Sequence, residues 1–281
     1  ISALCYAQET KNKEKVVNDG KSLLWKITGN GLTKPSYVFG TIHIICPDDY
    51  VWTPIMQNAL KQSQQVVFEM DMDDPSLQAQ MAKGMMTKDG KKLKDYYTEE
   101  EYKRLNDVAV KNGIPLAMLQ NIEPFGLISF LYMKASTCQI PDSYEGNIMK
   151  LAQKDDKEIL GLESLEEQLN VIDGMDNDSI AKQVLKIVDD LDSFRTTFQS
   201  MLSLYKKQDL PALHNLFLES PDYKDDLDAL LYSRNKKWVP IMSSLAEAKP
   251  TFFAVGAGHL YGKDGVIELL QNSGYTLTAI K

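Results

Sequence analysis

The sequence predicts an α/β protein: a mixed central sheet built from both chain ends, with a large helical insertion as its cap. Three observations predict it. β-prone runs alternate with helical periodicity in the N-terminal third, and the alternation returns after residue 250. Between these ends, over about 76–247, helical periodicity dominates. Strand–helix–strand order implies a partly parallel sheet with helices covering it. The composition permits such a core: 43% of the 281 residues are hydrophobic and 25% charged, as in ordinary globular chains.

Residues 1–21 read as a signal-peptide remnant followed by a flexible lead-in, leaving 22–281 as a single domain. Cys5 and Ala7 stand at the small-residue positions of a cleavage site before Gln8. The expectation is an exported chain, periplasmic or extracellular. A membrane-anchored lipoprotein with its lipid on Cys5 is the alternative, which Leu4 fits poorly.

Leu23–Thr28 and Ser36–Gly40 flank Gly29-Asn30-Gly31 and predict a hairpin. Thr53 and Pro54 open a helix with Ile55, Met56, Ala59 and Leu60 at helical spacing. Gln65–Met70 is a compact β run. Thr98 with Glu101 forms a capping-box signal for a helix running to about Asn112-Gly113. Residues 124–136 and 144–154 read as helices, and Lys157–Leu162 as a short buried strand. From 165 to about 247 the chain is helical, interrupted at Gly174, Pro211, Pro221 and Pro240, of which Pro240 could simply kink its helix. Thr251–Val255, a helix over 263–272 and Tyr275–Ile280 close the chain.

With 31 Lys+Arg against 39 Asp+Glu the net charge is −8, and no basic stripe stands out, which argues against nucleic acid as a partner. No apolar stretch reaches the ~20 residues of a transmembrane helix. Of three cysteines, Cys46 and Cys138 remain if Cys5 leaves with the signal, which suits one disulfide in an oxidising compartment. Neither lies in a C-x-x-C pair.

Two histidines share a setting. His43 closes Phe39-Gly40-Thr41-Ile42-His43, and His259 closes Val255-Gly256-Ala257-Gly258-His259, so each follows a β run as G-x-x-H. Strand ends are where α/β proteins bind ligands. Glu69 and Glu163 also follow β runs, with Asp71 on the face of Glu69. Imidazole nitrogens and carboxylate oxygens are the usual ligands of a catalytic divalent ion, and a remaining glutamate can act as general base. Arg234 could anchor an acidic side chain or a substrate carbonyl. His214 lies on an ordinary helix and reads as structural. There is no H-E-x-x-H helix and no G-x-S-x-G elbow.

Tyr37–His43, Val67–Asp71, Gly161–Gln168, Arg234-Asn235 and Val255–Gly262 occur in an order that resembles the TraB/PrgY/GumN family, which includes the TIKI proteases; the likeness extends over about 23–281. The resemblance implies a fold like that of the erythromycin-esterase and ChaN-like proteins. It also implies a catalytic set of His43, Glu69, Glu163 and His259 with Arg234 nearby. The expected function is an exported bacterial metal-dependent hydrolase, peptidase-like, acting on a peptide or small molecule. His43, Glu69 and His259 are the expected ligands of a Mn, Co or Zn ion, with Glu163 as the alternative to Glu69. Two other readings stay open: a haem- or small-ligand-binding protein without catalysis, and a pheromone- or peptide-sequestering protein. The resemblance leaves either Asp142 or Glu145 as a further acidic residue.

Overall fold

A turn that only unusual backbone can make starts the sheet. Gly29 and Gly31 both have φ of 83° and Asn30 has φ of 45°, values that glycine and asparagine tolerate best. They join β1 (Leu24–Gly29) to β2 (Ser36–Thr41) as the expected antiparallel hairpin. The computed structural model describes residues 19–88, 90–220 and 226–281. Most of the signal and lead-in expectation, with Cys5, and the expected break at Pro221 lie outside those residues.

Helix α1 (Pro54–Gln62) starts where Thr53 accepts the Met56 N–H and Pro54 fills the first turn. It leads into β3 (Gln65–Phe68). Four helices follow: α2 (Leu77–Gly84), α3 (Glu99–Lys111), α4 (Pro124–Ala135) and α5 (Tyr144–Lys154). β4 (Glu158–Gly161) interrupts the helical region. Then come α6 (Leu165–Asp173), α7 (Asn177–Asp189), α8 (Leu191–Lys206), α9 (Leu210–Glu219) and α10 (Ser233–Ala248). β5 (Thr251–Gly256), α11 (Val266–Asn272) and β6 (Tyr275–Ile280) complete the chain.

The sheet order is β4-β3-β5-β2-β1-β6. Its strands come from both chain ends, as expected, except β4, which the middle of the chain contributes at one edge. β2, β3, β4 and β5 are mutually parallel, and only β1 runs against its neighbours. Strands buried on both faces read as continuous apolar runs, and β2, β3 and β5 do so. The main core lies against this sheet around Trp25, Phe39, Trp238, Phe252 and Phe253. A second cluster, with Leu105, Leu127, Leu131, Val184 and Val188, belongs to α3, α4 and α7 within the helical region.

Two details of the helical region differ from the sequence reading. The break between α7 and α8 falls at Asp190, with no glycine or proline to signal it; Asp190 ends one helix and caps the next by accepting the Ser193 N–H at 2.9 Å. Pro211 stands in the first turn of α9 and so starts a helix, because its missing N–H needs no partner there. The chain turns just before it, at Gln208, with φ of 56°. Pro240 lies inside α10, which continues through it.

Candidate functional site

Parallel strands end on the same side, and β4, β3, β5 and β2 are consecutive in the sheet. Each leaves that edge through a residue singled out in the sequence. Glu69 directly follows β3, His43 and Glu163 stand two residues beyond β2 and β4, and His259 stands three beyond β5. A cavity of about 460 Å³ opens there, lined at the sheet edge by Thr41, His43, Glu69, Gln168, Arg234 and His259. Its walls come from α4, α8, α9 and a single π-helical turn, Asp228–Tyr232, which precedes α10. The histidines, 216 positions apart in the sequence, therefore face one cavity.

Glu69 and Glu163 are clasped by backbone. The Leu162 N–H donates to Phe68 O at 2.9 Å and the Glu163 N–H to Glu69 O at 2.9 Å, so β3 and β4 stay joined past their ends. Gly161 permits it: a Cβ there would lie 2.5 Å from the Asp71 backbone nitrogen. Arg234, second residue of α10, places its guanidinium between the two carboxylates. Its Nη2 donates to Glu69 Oε2 at 2.7 Å and Glu163 Oε1 at 2.5 Å, and its Nε donates to Glu163 Oε1 at 3.1 Å. Nη1 reaches Leu230 O at 2.8 Å. Trp238 donates its indole N–H to Glu163 Oε2 at 3.0 Å and lies under the guanidinium, 4.6 Å from it. Burial pushes the Glu69 carboxyl up, but His259, Arg234, His43 and the Gly256 N–H outweigh it and bring its pKa down to about 2.

Asn235 determines the state of His259. Its Nδ2 donates to two carbonyls, His259 O at 3.2 Å and Asp264 O at 2.8 Å. Its Oδ1 therefore faces His259 Nδ1 at 2.7 Å, which must carry the proton. The bare lone pair of Nε2 points to Arg234 Nη1 at 3.3 Å and lies 3.7 Å from Glu69 Oε1. Burial lowers the His259 pKa to about 4, with the Arg234 charge adding to that, so the ring is neutral at pH 7.

His43 is the opposite case. Its Nδ1 lies 2.8 Å from Glu145 Oε1, which also accepts the Thr41 hydroxyl at 2.6 Å. The Glu145 carboxylate pushes the His43 pKa up to about 9, so the ring is an imidazolium at neutral pH. The His43 side chain is 73% exposed while that of Glu145 is 10% exposed. Glu145 Oε2 is buried without a hydrogen-bond partner among the described residues.

Of the expected site residues, His43, Glu69, Arg234 and His259 line the cavity. Glu163 does not; it stands behind Arg234, with a side chain 6% exposed. Asp71 is exposed beside Asp73 and Asp74 and does not line the cavity. His214 packs against Tyr232 and Tyr261 outside the cavity, as a structural histidine would. Glu145, not Asp142, meets His43; Asp142 accepts from Asn147 at 2.8 Å. Nothing in the sequence alone assigns a role to Asn235, Thr41 or Trp238. The Arg234-Asn235 pair was the visible signal for the first, but its meaning needed His259 beside it.

The expected metal set is only partly assembled. His259 Nε2 and Glu69 Oε1, 3.7 Å apart, have the spacing of two ligands on one ion with bonds of about 2.0–2.2 Å. His43, however, is engaged by Glu145, and Arg234 holds the other Glu69 oxygen. Among the described residues no group of three or more His, Cys, Asp or Glu is placed to hold a metal ion. The donor chemistry fits, with two of the three donors in place.

The family model "TraB/PrgY/gumN family" matches residues 23–279. The chain is 24% identical to "Metalloprotease TIKI2" of Danio rerio over 95% of its own length and 63% of the relative's. It is 25% identical to "Metalloprotease TIKI1" of Danio rerio, over 92% of this chain and 63% of the relative, and 25% identical to that of Homo sapiens, over 95% and 63%. The chain thus spans about three-fifths of the length of these curated relatives. No solved structure matches.

Proposed function

The chain belongs to the TraB/PrgY/gumN family, and on that premise we propose that it is a metal-dependent hydrolase acting on peptide bonds at the cavity over the sheet edge. The observation that carries this reading is the convergence there of His43, Glu69, Arg234 and His259. His259 and Glu69 would hold the divalent ion, with His43 as third donor once its ring gives up a proton to bind. Such an ion polarises a carbonyl and acidifies water. The chain's own residues prepare the rest. Asn235 keeps the His259 Nε2 lone pair available, Arg234 keeps Glu69 ionised, and Glu145 holds the His43 ring at the cavity. Glu163 orients Arg234 through its paired hydrogen bonds. Similarity to proteins named metalloproteases supports the reaction class.

Export fits the same reading, because the Cys46–Cys138 disulfide persists best in an oxidising compartment. Cleavage of a peptide library with EDTA, and with Mn²⁺, Co²⁺ or Zn²⁺ added back, tests the proposal. Cleavage is expected only with metal, and His43→Ala with His259→Ala should abolish it. Full cleavage by that double variant would exclude this site. The apolar cavity walls favour one second reading, a protein that binds haem or another small ligand without catalysis. Metal-independent binding with no cleavage by the wild type would select it.

A further inference from the structure

The cavity is chemically two-sided. Its charged groups lie at the sheet edge, whereas the helical wall supplies Phe198, Met201, Leu213, Phe217, Leu230 and Leu231. The two sides meet at single residues. Ile42 precedes His43 in the lining. Gly258, the neighbour of His259, faces Phe217 and Leu231: a Cβ built there would lie 3.4 Å from the Phe217 ring and 3.8 Å from Leu231 Cδ2. Leu230 offers its side chain to the cavity and its carbonyl to Arg234 at 2.8 Å. A group bound at His259 and Arg234 therefore has apolar wall within one residue of it.

Charge points the same way. His43 is paired with Glu145, and Arg234 with both Glu69 and Glu163. These charges are engaged with one another rather than free to select a charged side chain. The wall is backed by packed core, with Phe198 and Leu213 3% and Leu227 4% exposed, so its shape is largely preformed. Met201 adds an adaptable thioether.

We infer that the helical wall is a subsite for a bulky apolar side chain, of leucine, methionine or phenylalanine type, next to the bond acted on at the polar edge; the inference rests on the peptide-hydrolase reading. Two measurements on the full chain separate it from that reading. In the first, a peptide library is digested with added Mn²⁺ and the cut sites are read by mass spectrometry. In the second, fluorescein-labelled alanine-rich peptides carrying one Leu, one Glu or one Lys are titrated in EDTA by fluorescence anisotropy. Apolar residues should dominate one position beside the cut, and the Leu peptide should bind at least roughly tenfold tighter than the other two. Leu231→Arg should move both preferences toward Glu, a gain that misfolding cannot mimic. Should that variant not fold by circular dichroism, Phe217→Ser should instead flatten the preference. Cleavage with no residue preference and equal binding overturns the subsite but leaves the hydrolase. Selective binding of the Leu peptide without cleavage under any metal overturns the hydrolase and leaves the subsite. Neither cleavage nor selective binding overturns both.

Discussion

Arg234 is the residue on which the site's electrostatics turn. Its side chain is 11% exposed and lies between two carboxylates that are 12% and 6% exposed. Removing one partner of a buried ion cluster leaves uncompensated charge, which costs about 3–5 kcal/mol. Arg234→Met should therefore lower stability by that order in urea titration. A loss below about 1 kcal/mol would show that the carboxylates find water instead. The titrating groups oppose one another with pH. His43, raised from 6.5 to about 9, contributes stability that is complete below 6.5 and is lost as pH rises toward 9. His259, lowered from 6.5 to about 4, loses stability as pH falls through that window, because the unfolded chain takes up the proton first. Glu69, lowered from 4.5 to about 2, adds a further loss below about 4.5. The urea midpoint should peak near pH 6.5. Its alkaline slope should be the shallower one, since water screens the exposed His43 pair, and it should vanish in His43→Ala.

The element scale concerns how strand ends are kept together. β3 and β4 pass close beyond their last ladder pair because Gly161 has no Cβ; the atom would lie 2.5 Å from Asp71 N and 2.8 Å from Met70 C. Backbone cannot yield as a side-chain tip can. Gly161→Ala should cost about 1–3 kcal/mol, a magnitude typical of overpacking. It should also reduce activity beyond the stability loss, because it displaces Glu69 and Glu163 together. Activity per folded molecule equal to wild type would refute that coupling. Most elements were legible because their signals are local: the capping box at Thr98, Pro54 in the first turn of α1, and the continuous apolar runs of β2 and β5. The Asp190 break was not, since one aspartate serves as the end of α7 and the cap of α8 only once both helices are placed.

At the scale of the molecule, the Cys46–Cys138 disulfide ties the segment after β2 to the end of α4, with Cα atoms 5.7 Å apart. It closes a loop across 92 positions, worth about 4.6 kcal/mol by the chain-entropy treatment. Cys46→Ser with Cys138→Ser should lower stability by up to that amount in urea titration under non-reducing conditions. An unchanged midpoint would mean that the segments are already held by packing. The bonded cysteines stand three positions after His43 and six after the α4 residue Tyr132, both of which line the cavity.

The amino-acid sequence by itself determined the fold class, the places where strands end, and the identity of His43, Glu69, Arg234 and His259, because apolar periodicity and residues at strand ends are local properties of the chain. It pointed to the cysteine pair for a similar reason, since few pairings were available. Only the tertiary structure decided that β4, β3, β5 and β2 lie side by side and parallel, which turns four separate strand ends into one edge. It also decided that Glu163 stands behind Arg234, that Glu145 and not Asp142 meets His43, and that Asn235 sets the His259 tautomer. Those relations are contacts between residues 24 to 102 positions apart. Their chemistry depends on which neighbours a buried charge finds, and that follows from packing rather than from any pattern along the chain.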